Sequence, residues 1–216
     1  MRKLRLTVLL VLAGCMPRTT PPPDYGGRRA APASPVVQAR AYRQCLADLS
    51  ALGAQIEPLP DRTFPNGCSA VSAVKLVAIG TPVTNLGAMT CGLARPFVGW
   101  VTQAVQPAAR SDLGTSVAKI ESFGSFACRP VNNVAGNALS EHGRANAVDI
   151  AAFDLADGRR VTVKDGWNGS DEAVRAFLRD LHAAACRRLS VVLGPDANAL
   201  HRDHLHFDMG RGPYCR

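Results

Sequence analysis

The stretches that decide the fold are SEHGRANAVDI at positions 140–150 and RDHLHFD at positions 202–208 of this 216-residue chain. Side chains alternate along an extended strand, so His204, His206 and Asp208 share one face while the leucine and phenylalanine between them lie on the other. In the first stretch Asp149 lies on a second predicted strand, and the loop that carries His142 must fold back to reach it. Both stretches therefore place side chains able to do chemistry on, or next to, predicted strands.

The residue types in these stretches indicate a metal centre. A catalytic zinc ion takes three protein ligands and keeps a fourth position for water. His142, Asp149 and His206 would supply two nitrogens and one oxygen, which leaves Asp203 and His204 to handle protons. The alternative is a set of hydrogen-bonded core or surface histidines, because a chain with five histidines produces such spacings by chance. Spacing alone leaves both interpretations open.

From position 41 onward the pattern predicts one α+β domain, a small antiparallel sheet flanked by helices. Helices are predicted at 42–52, 89–105 and 171–188, and strands at 71–79, 117–123, 147–153, 160–163, 191–193 and 205–209. Asp157-Gly158 is a hairpin signal between two of these strands, and Ser170 is a candidate N-cap for the last helix. His182 lies in that helix and is expected at its surface, whereas the pattern leaves His201 unassigned.

The composition is that of a globular domain with basic charge. Hydrophobic residues make up 47% and charged residues 19%, which excludes a disordered polymer and a polytopic membrane protein. The formal net charge is +8, yet the basic residues are dispersed and aromatic residues make up only 6%. These features argue against a nucleic-acid partner.

The N-terminus predicts export and lipid attachment. Residues 1–14, a basic start followed by a short apolar run, fit a secretory signal peptide. Leu12-Ala13-Gly14-Cys15 resembles the lipobox of bacterial lipoproteins, so Cys15 is the predicted lipidation site. The alternative is an ordinary signal peptide with a chance cysteine. Cleavage would remove three basic residues and lower the formal charge of +8 to +5. The proline-rich residues 15–40 predict an extended tether.

Six cysteines remain after Cys15, and an exported protein can keep them as disulfides. Six cysteines allow 15 connectivities. Pairing near neighbours along the chain predicts Cys45–Cys68, Cys91–Cys128 and Cys186–Cys215. The expected domain is therefore stapled by disulfides, while its metal centre uses no cysteine.

The two stretches also resemble motifs of known zinc proteins. Residues 140–149 resemble the Ser-x-His-x-x-Gly-x-Ala-x-Asp motif of D-alanyl-D-alanine carboxypeptidases, and residues 203–206 resemble their Asp-His-x-His terminus. These enzymes belong to the lysostaphin, D-Ala-D-Ala and hedgehog superfamily. More closely, the stretch from about Cys45 to Cys215 resembles the bacterial extensin-like C-terminal domain family. The matching segments are GSFACR at 124–129, LSEH at 139–142, DGR at 157–159 and GPD at 194–196.

This resemblance implies roles for five residues in the two stretches. His142, Asp149 and His206 match the zinc ligands, so the implied cofactor is Zn²⁺. Asp203 matches the catalytic carboxylate, and His204 matches the adjacent active-site imidazole.

The resemblance also bears on two positions outside this set. Arg129 matches an arginine that helps to bind substrate or to stabilise the oxyanion in the related carboxypeptidases. Ala145 stands where the motif usually has glycine, and a turn with positive φ would strain an alanine there. Gly143 is the other residue that can give this turn its flexibility.

The expected function is hydrolysis of an amide bond in peptidoglycan peptides, of the D,D-carboxypeptidase or endopeptidase type. Asp203 would take a proton from water and pass it to the leaving amine, and His204 or Arg129 would stabilise the developing negative charge. The lipid anchor implies a periplasm-facing protein, and Met16 after the lipidated cysteine favours the outer membrane. The competing class is a non-catalytic lipoprotein, with or without zinc, that binds or supports the cell wall.

Overall fold

Strands and helices follow one another irregularly in residues 34–216, the part of the chain that the computed structural model describes. The helices are α1 Pro35–Ala51, α2 Cys91–Trp100, α3 Gln106–Leu113, α4 Val163–Gly166 and α5 Glu172–Cys186. The strands are β1 Gln55–Pro58, β2 Arg62–Thr63, β3 Ser69–Ala70, β4 Ala73–Ala78, β5 Met89–Thr90, β6 Val117–Gly124, β7 Ala147–Leu155, β8 Arg160–Thr162, β9 Val191–Leu193, β10 Leu205–Asp208 and β11 Tyr214–Cys215. A π-helical turn, Val101–Val105, and 3-10 turns at Val131–Asn133, Glu141–Arg144 and Ala199–His201 complete the described chain.

Within residues 34–216 the largest sheet has six strands. Five of them run in the order β11-β9-β10-β7-β6, and β8 also pairs with β7. Every pair is antiparallel except β11 with β9. Two smaller antiparallel sheets contain β1-β4-β5 and β2-β3. The predicted mixture of helices and small antiparallel sheets is confirmed, and the hairpin at Asp157-Gly158 joins β7 to β8 as expected.

The hydrophobic core lies against one face of the six-stranded sheet. Leu205 and Phe207 alternate with polar residues along β10, and both are fully buried. Trp100 of α2 packs edge-on against Phe207, with ring centroids 5.0 Å apart, and its indole Nε1 donates a hydrogen bond to the carbonyl of Leu181 in α5. Burial of the apolar residues on this face directs the polar residues of β10 to the opposite face.

Helix α1 begins earlier than the sequence predicts. The hydroxyl of Ser34 accepts a hydrogen bond from the backbone N–H of Val37, and Pro35 at the first position has a φ already suited to a helix. Residues 35–40 are therefore helical and not part of an extended tether. The predicted signal peptide, the lipidation site Cys15 and the rest of the tether lie outside the described residues.

Other boundaries shift because local capping differs from the expected pattern. Helical turns continue from Cys91 to Leu113 through α2, the π-helical turn and α3, well past the predicted end. Asp171, and not Ser170, caps α5, because its carboxylate accepts hydrogen bonds from the backbone N–H groups of the first turn. None of the helices in residues 34–216 is long and apolar enough to cross a membrane.

The disulfides within residues 34–216 are Cys45–Cys91, Cys68–Cys128 and Cys186–Cys215. The last pairing was predicted and is confirmed, whereas Cys45–Cys68 and Cys91–Cys128 are wrong. The observed pairs depend on how the elements pack. Because α1 lies against α2, Cys45 is close to Cys91, the first residue of α2. Cys68 is bonded to Cys128, the residue before Arg129, in place of the predicted partner Cys91.

Candidate functional site

Two neighbouring strands bring Asp149 and His206 together. β7 and β10 pair antiparallel in the middle of the six-stranded sheet, and their register places His206 directly opposite Asp149. Residues opposite each other in an antiparallel pair project from the same face. Both side chains are buried. The two predicted strands are therefore neighbours in the sheet, and their register brings Asp149 and His206 together.

The 3-10 turn Glu141–Arg144 delivers the third side chain, His142. The hydroxyl of Ser140 accepts a hydrogen bond of 3.3 Å from the backbone N–H of His142 and so starts the turn. Ala145 ends it in the left-handed conformation, with φ 53°, and its N–H donates to the His142 carbonyl at 3.1 Å. The turn thus has positive φ where the motif of D-alanyl-D-alanine carboxypeptidases has glycine, and this chain places an alanine there.

The three side chains meet at one point. Nε2 of His142 lies 3.1 Å from Oδ2 of Asp149 and 3.3 Å from Nδ1 of His206. Nδ1 of His206 lies 2.8 Å from Oδ1 of Asp149. The exposed fractions of the three residues are 3% for His142, 8% for Asp149 and 9% for His206. A buried cluster with one donor atom from each residue could hold a metal ion.

These contacts also set the protonation of the metal-free cluster. Burial acts to raise the pKa of Asp149, but hydrogen bonds from His142 and His206 outweigh it and hold that pKa below its ordinary value. Burial acts to lower the pKa of His206, but hydrogen bonds to Asp149 and Asp208 outweigh it and raise the pKa to about 9. At neutral pH His206 therefore carries a proton that a metal ion must displace.

Asp208 holds His206 from the opposite side. Nε2 of His206 donates a hydrogen bond of 2.9 Å to Oδ2 of Asp208, whose Oδ1 accepts the backbone N–H of Gly210 at 2.7 Å. With Nε2 engaged in this way, Nδ1 is the His206 nitrogen that faces Asp149. Strand alternation places Asp208 on the same face as His206, but nothing in the sequence pattern indicates this role.

His204 and Asp203 lie at the edge of the cluster. Nε2 of His204 is 3.6 Å from Oδ1 of Asp149, and its Nδ1 is 2.8 Å from Oδ1 of Asp203. The imidazole ring thus stands between the two carboxylates. Phe123, which is largely exposed, packs edge-on against the same ring with centroids 5.7 Å apart. Of the two residues expected to handle protons, His204 is therefore the one whose contact with Asp149 links it to the cluster.

His201, for which the sequence pattern predicts no role, also lies beside the cluster. Its ring centroid is 5.1 Å from that of His204 and 5.6 Å from that of His206. Burial, together with the neighbouring His206 and His204, lowers the pKa of His201 to about 4. The signal that could have found it is the His-x-x-His-x-His spacing formed by these three residues.

Arg129 lies at the rim of this region. Its backbone carbonyl accepts a hydrogen bond of 3.1 Å from the N–H of Ser140, which ties it to the turn that carries His142. Its guanidinium makes no ion pair within the described chain, and its charge contributes to the lowered pKa of His201. Arg129 is therefore a cation available to a ligand at the edge of the cluster.

A second group of potential metal ligands consists of His182, Cys186 and Cys215. The two cysteines are bonded to each other, so their sulfur atoms are not free to bind a metal. His182 is half-buried and not at the surface as expected, because its Nε2 lies 3.1 Å from the carbonyl of Arg216 and its ring packs against Trp167.

The chain belongs to the family described as extensin-like protein C-terminus, which matches residues 43–216. This match confirms the family that the residue patterns indicated. Comparison with the curated proteins and with the solved structures gave no match. The wider relation to D-Ala-D-Ala carboxypeptidases stays a prediction.

Proposed function

We propose that this protein is a metal-dependent amide hydrolase of the cell envelope that cleaves peptidoglycan peptides, with zinc held by His142, Asp149 and His206. The observation that carries the proposal is the convergence of these buried side chains: Nε2 of His142 and Nδ1 of His206 lie 3.3 Å apart, and each contacts a different oxygen of Asp149, at 3.1 Å and 2.8 Å.

The donor set suits zinc in kind and in spacing. Zinc binds histidine nitrogens and aspartate oxygens at ~2.0–2.2 Å, and three such ligands leave a position for water. Ligands at the corners of a tetrahedron with these bond lengths stand ~3.3 Å apart, and the two histidine nitrogens are separated by 3.3 Å. The carboxylate of Asp208 on the remote nitrogen of His206 is the outer partner that ligating histidines usually have.

The protein's own groups divide the proton chemistry between them. Bound zinc would supply a water of lowered pKa and polarise the scissile carbonyl. Asp203 accepts a hydrogen bond from Nδ1–H of His204 and so leaves the lone pair on Nε2, at the edge of the cluster, to take the proton of the attacking water and then give it to the leaving amine. This assignment differs from the prediction made from the sequence, in which Asp203 took the proton.

One observation and two expectations from the sequence further support the proposal. The guanidinium of Arg129, which has no ion pair within residues 34–216, can stabilise the negative charge of a tetrahedral intermediate. Lipidation at Cys15, expected from the sequence, would hold the protein at the envelope, where peptidoglycan peptides are available. The resemblance of the two motifs to D-alanyl-D-alanine carboxypeptidases favours a bond next to a D-amino acid.

Metal analysis and a cleavage assay on the purified protein test the proposal. We expect wild-type protein to hold one equivalent of zinc and to cleave a muropeptide digest, as followed by mass spectrometry. His206→Ala should lose the zinc and the cleavage together. His182→Ala removes a half-buried histidine outside the cluster and is the matched control, which should retain both. Undiminished cleavage by His206→Ala would contradict the proposal.

The same measurements separate the proposal from its alternative. One equivalent of zinc without cleavage of any sacculus digest would favour a non-catalytic lipoprotein that binds or supports the wall. The basic charge of the chain suits binding to an anionic envelope polymer in either case.

A further inference from the structure

One imidazole beside the cluster has no part in the proposed chemistry. His201 ends the 3-10 turn Ala199–His201, and its ring centroid lies 5.1 Å from that of His204 and 5.6 Å from that of His206. It is half-buried, so part of the ring can meet a ligand that enters from solvent. The ring of His201 either packs only against its neighbours in the protein or also contacts a bound molecule. Which of its nitrogens already has a hydrogen-bond partner within the protein bears on this choice.

Asn198 determines which nitrogen of His201 carries the proton. Oδ1 of Asn198 accepts the backbone N–H of Leu200 at 2.9 Å, which identifies this atom as the amide oxygen, since an NH₂ group cannot accept that bond. The same oxygen lies 2.9 Å from Nδ1 of His201. Because an amide oxygen only accepts hydrogen bonds, Nδ1 must donate, and the lone pair of the neutral ring is on Nε2.

Nε2 of His201 is an acceptor that the protein does not use. It makes no hydrogen bond within the part of the chain that the structure describes. Both nitrogens of His206 are bonded to carboxylates, and Nε2 of His204 is the base of the proposed reaction. Among these three rings, Nε2 of His201 is therefore the acceptor that remains for a ligand.

We propose that His201 is a substrate-binding residue whose Nε2 accepts a hydrogen bond from a backbone N–H of the bound peptide and so orients that peptide against the cluster. The proposal rests on the proposed function, because it assigns a contact with an amide substrate. In a peptide each backbone N–H adjoins a carbonyl. An acceptor fixed at the edge of the cluster therefore determines which carbonyl of the bound peptide lies next to the cluster.

A pair of substitutions separates this role from packing. His201→Gln puts an acceptor oxygen near the position of Nε2, whereas His201→Asn retains polar atoms only near the position of Nδ1. In the complete chain, we expect His201→Gln to keep kcat/KM for muropeptide cleavage within roughly threefold of wild type. His201→Asn should lose about tenfold, mainly through KM, since the bond is made to bound substrate before and during reaction. Both variants should keep their zinc and their Tm.

Two outcomes of these measurements would contradict the proposed role of His201. Equal KM values for His201→Asn and wild type would show that Nε2 does not touch substrate. A loss of zinc or a large fall in Tm for both variants would assign His201 to the support of the cluster. Either result overturns the inference.

Peptide binding at His201 can also be measured without catalysis, so this contact can be tested independently of the proposed hydrolase activity. ¹⁵N NMR of the histidine side chains in zinc-loaded protein should show His201 with its proton on Nδ1, and N-acetyl-D-alanyl-D-alanine should shift its Nε2 resonance. A proton on Nε2 overturns the inference. So does the absence of a shift in the Nε2 resonance when the peptide is at saturation or at a concentration that perturbs the backbone signals of the site. Protein that cleaves nothing but shows the shift would contradict the hydrolase proposal and leave the contact standing.

Discussion

Nε2 of His206 donates a hydrogen bond to Asp208 over 2.9 Å, and this bond decides which nitrogen of His206 faces His142 and Asp149. Asp208 is held in turn by the N–H of Gly210. The orientation of the central imidazole therefore depends on a carboxylate that lies on the other side of the ring from the cluster.

Removal of Asp208 should weaken metal binding without unfolding the protein. We expect Asp208→Ala to lower zinc affinity by roughly 10–100-fold, because the ring of His206 would lose the partner that fixes its orientation. Asp180→Asn, on the exposed side of α5, is the control and should leave the affinity unchanged. Competition with a chelator measures both values, and wild-type affinity in Asp208→Ala would contradict the role assigned to this carboxylate.

Gly143 should not tolerate a methyl group. A Cβ at this position would lie 2.7 Å from Cδ1 of Leu139 and 3.2 Å from Sγ of Cys68. We expect Gly143→Ala to lower the free energy of unfolding by about 1–3 kcal/mol, as overpacking does. Gly92→Ala in α2 meets nothing within 4 Å and should be neutral or slightly stabilising. Urea unfolding compares the two, and equal effects would refute the packing argument.

The disulfide pattern can be checked directly and tied to the site. Peptide mapping without reduction should recover linked fragments for Cys45–Cys91, Cys68–Cys128 and Cys186–Cys215. Replacement of Cys68 and Cys128 by alanine should reduce the free energy of unfolding by about 2–4 kcal/mol. It should also impair cleavage more than loss of Cys45–Cys91, because Cys128 precedes Arg129. A fragment that links Cys45 to Cys68 would contradict the structure.

The pH dependence of stability should contain a contribution from His182. Burial lowers the pKa of His182 below its ordinary value of 6.5, so the unfolded chain binds a proton at this residue more readily than the folded protein does. The contribution is therefore complete above pH 6.5 and declines as the pH falls through the lowered pKa. His182→Gln should lose less stability than wild type between pH 7.5 and pH 5.5 in urea titrations. Parallel losses would show that His182 does not titrate in this way.

Residue types typical of a zinc site, together with the resemblance, predicted that Asp149 and His206 meet, and period-two alternation predicted how each residue sits on its strand. It placed Asp149 on β7 and His206 on β10 because their neighbours along each strand are apolar and form the core. The hairpin at Asp157-Gly158 and the helix that contains His182 were also local patterns, so they could be predicted from neighbouring residues alone.

The features that could not be predicted depend on contacts between distant segments. Cys45 pairs with Cys91 because α1 packs on α2, and no local pattern gives that arrangement. Asp208 and His201 were missed as functional residues because their importance comes from what faces them. The earlier start of α1 is different, since Ser34 followed by Pro35 is a local capping signal that the proline-rich context obscured.

The pairing of β7 with β10 has a practical consequence, since His206 and Asp149 are opposite each other in the register. A slip by one residue would present Leu205 or Phe207 to Asp149, and a ligand set of this kind would no longer exist. If zinc binds as proposed, the zinc content of a preparation would equal the fraction of molecules in which these strands are aligned. Recovery of zinc binding after refolding would thus report correct strand alignment directly, before any enzymatic assay is made.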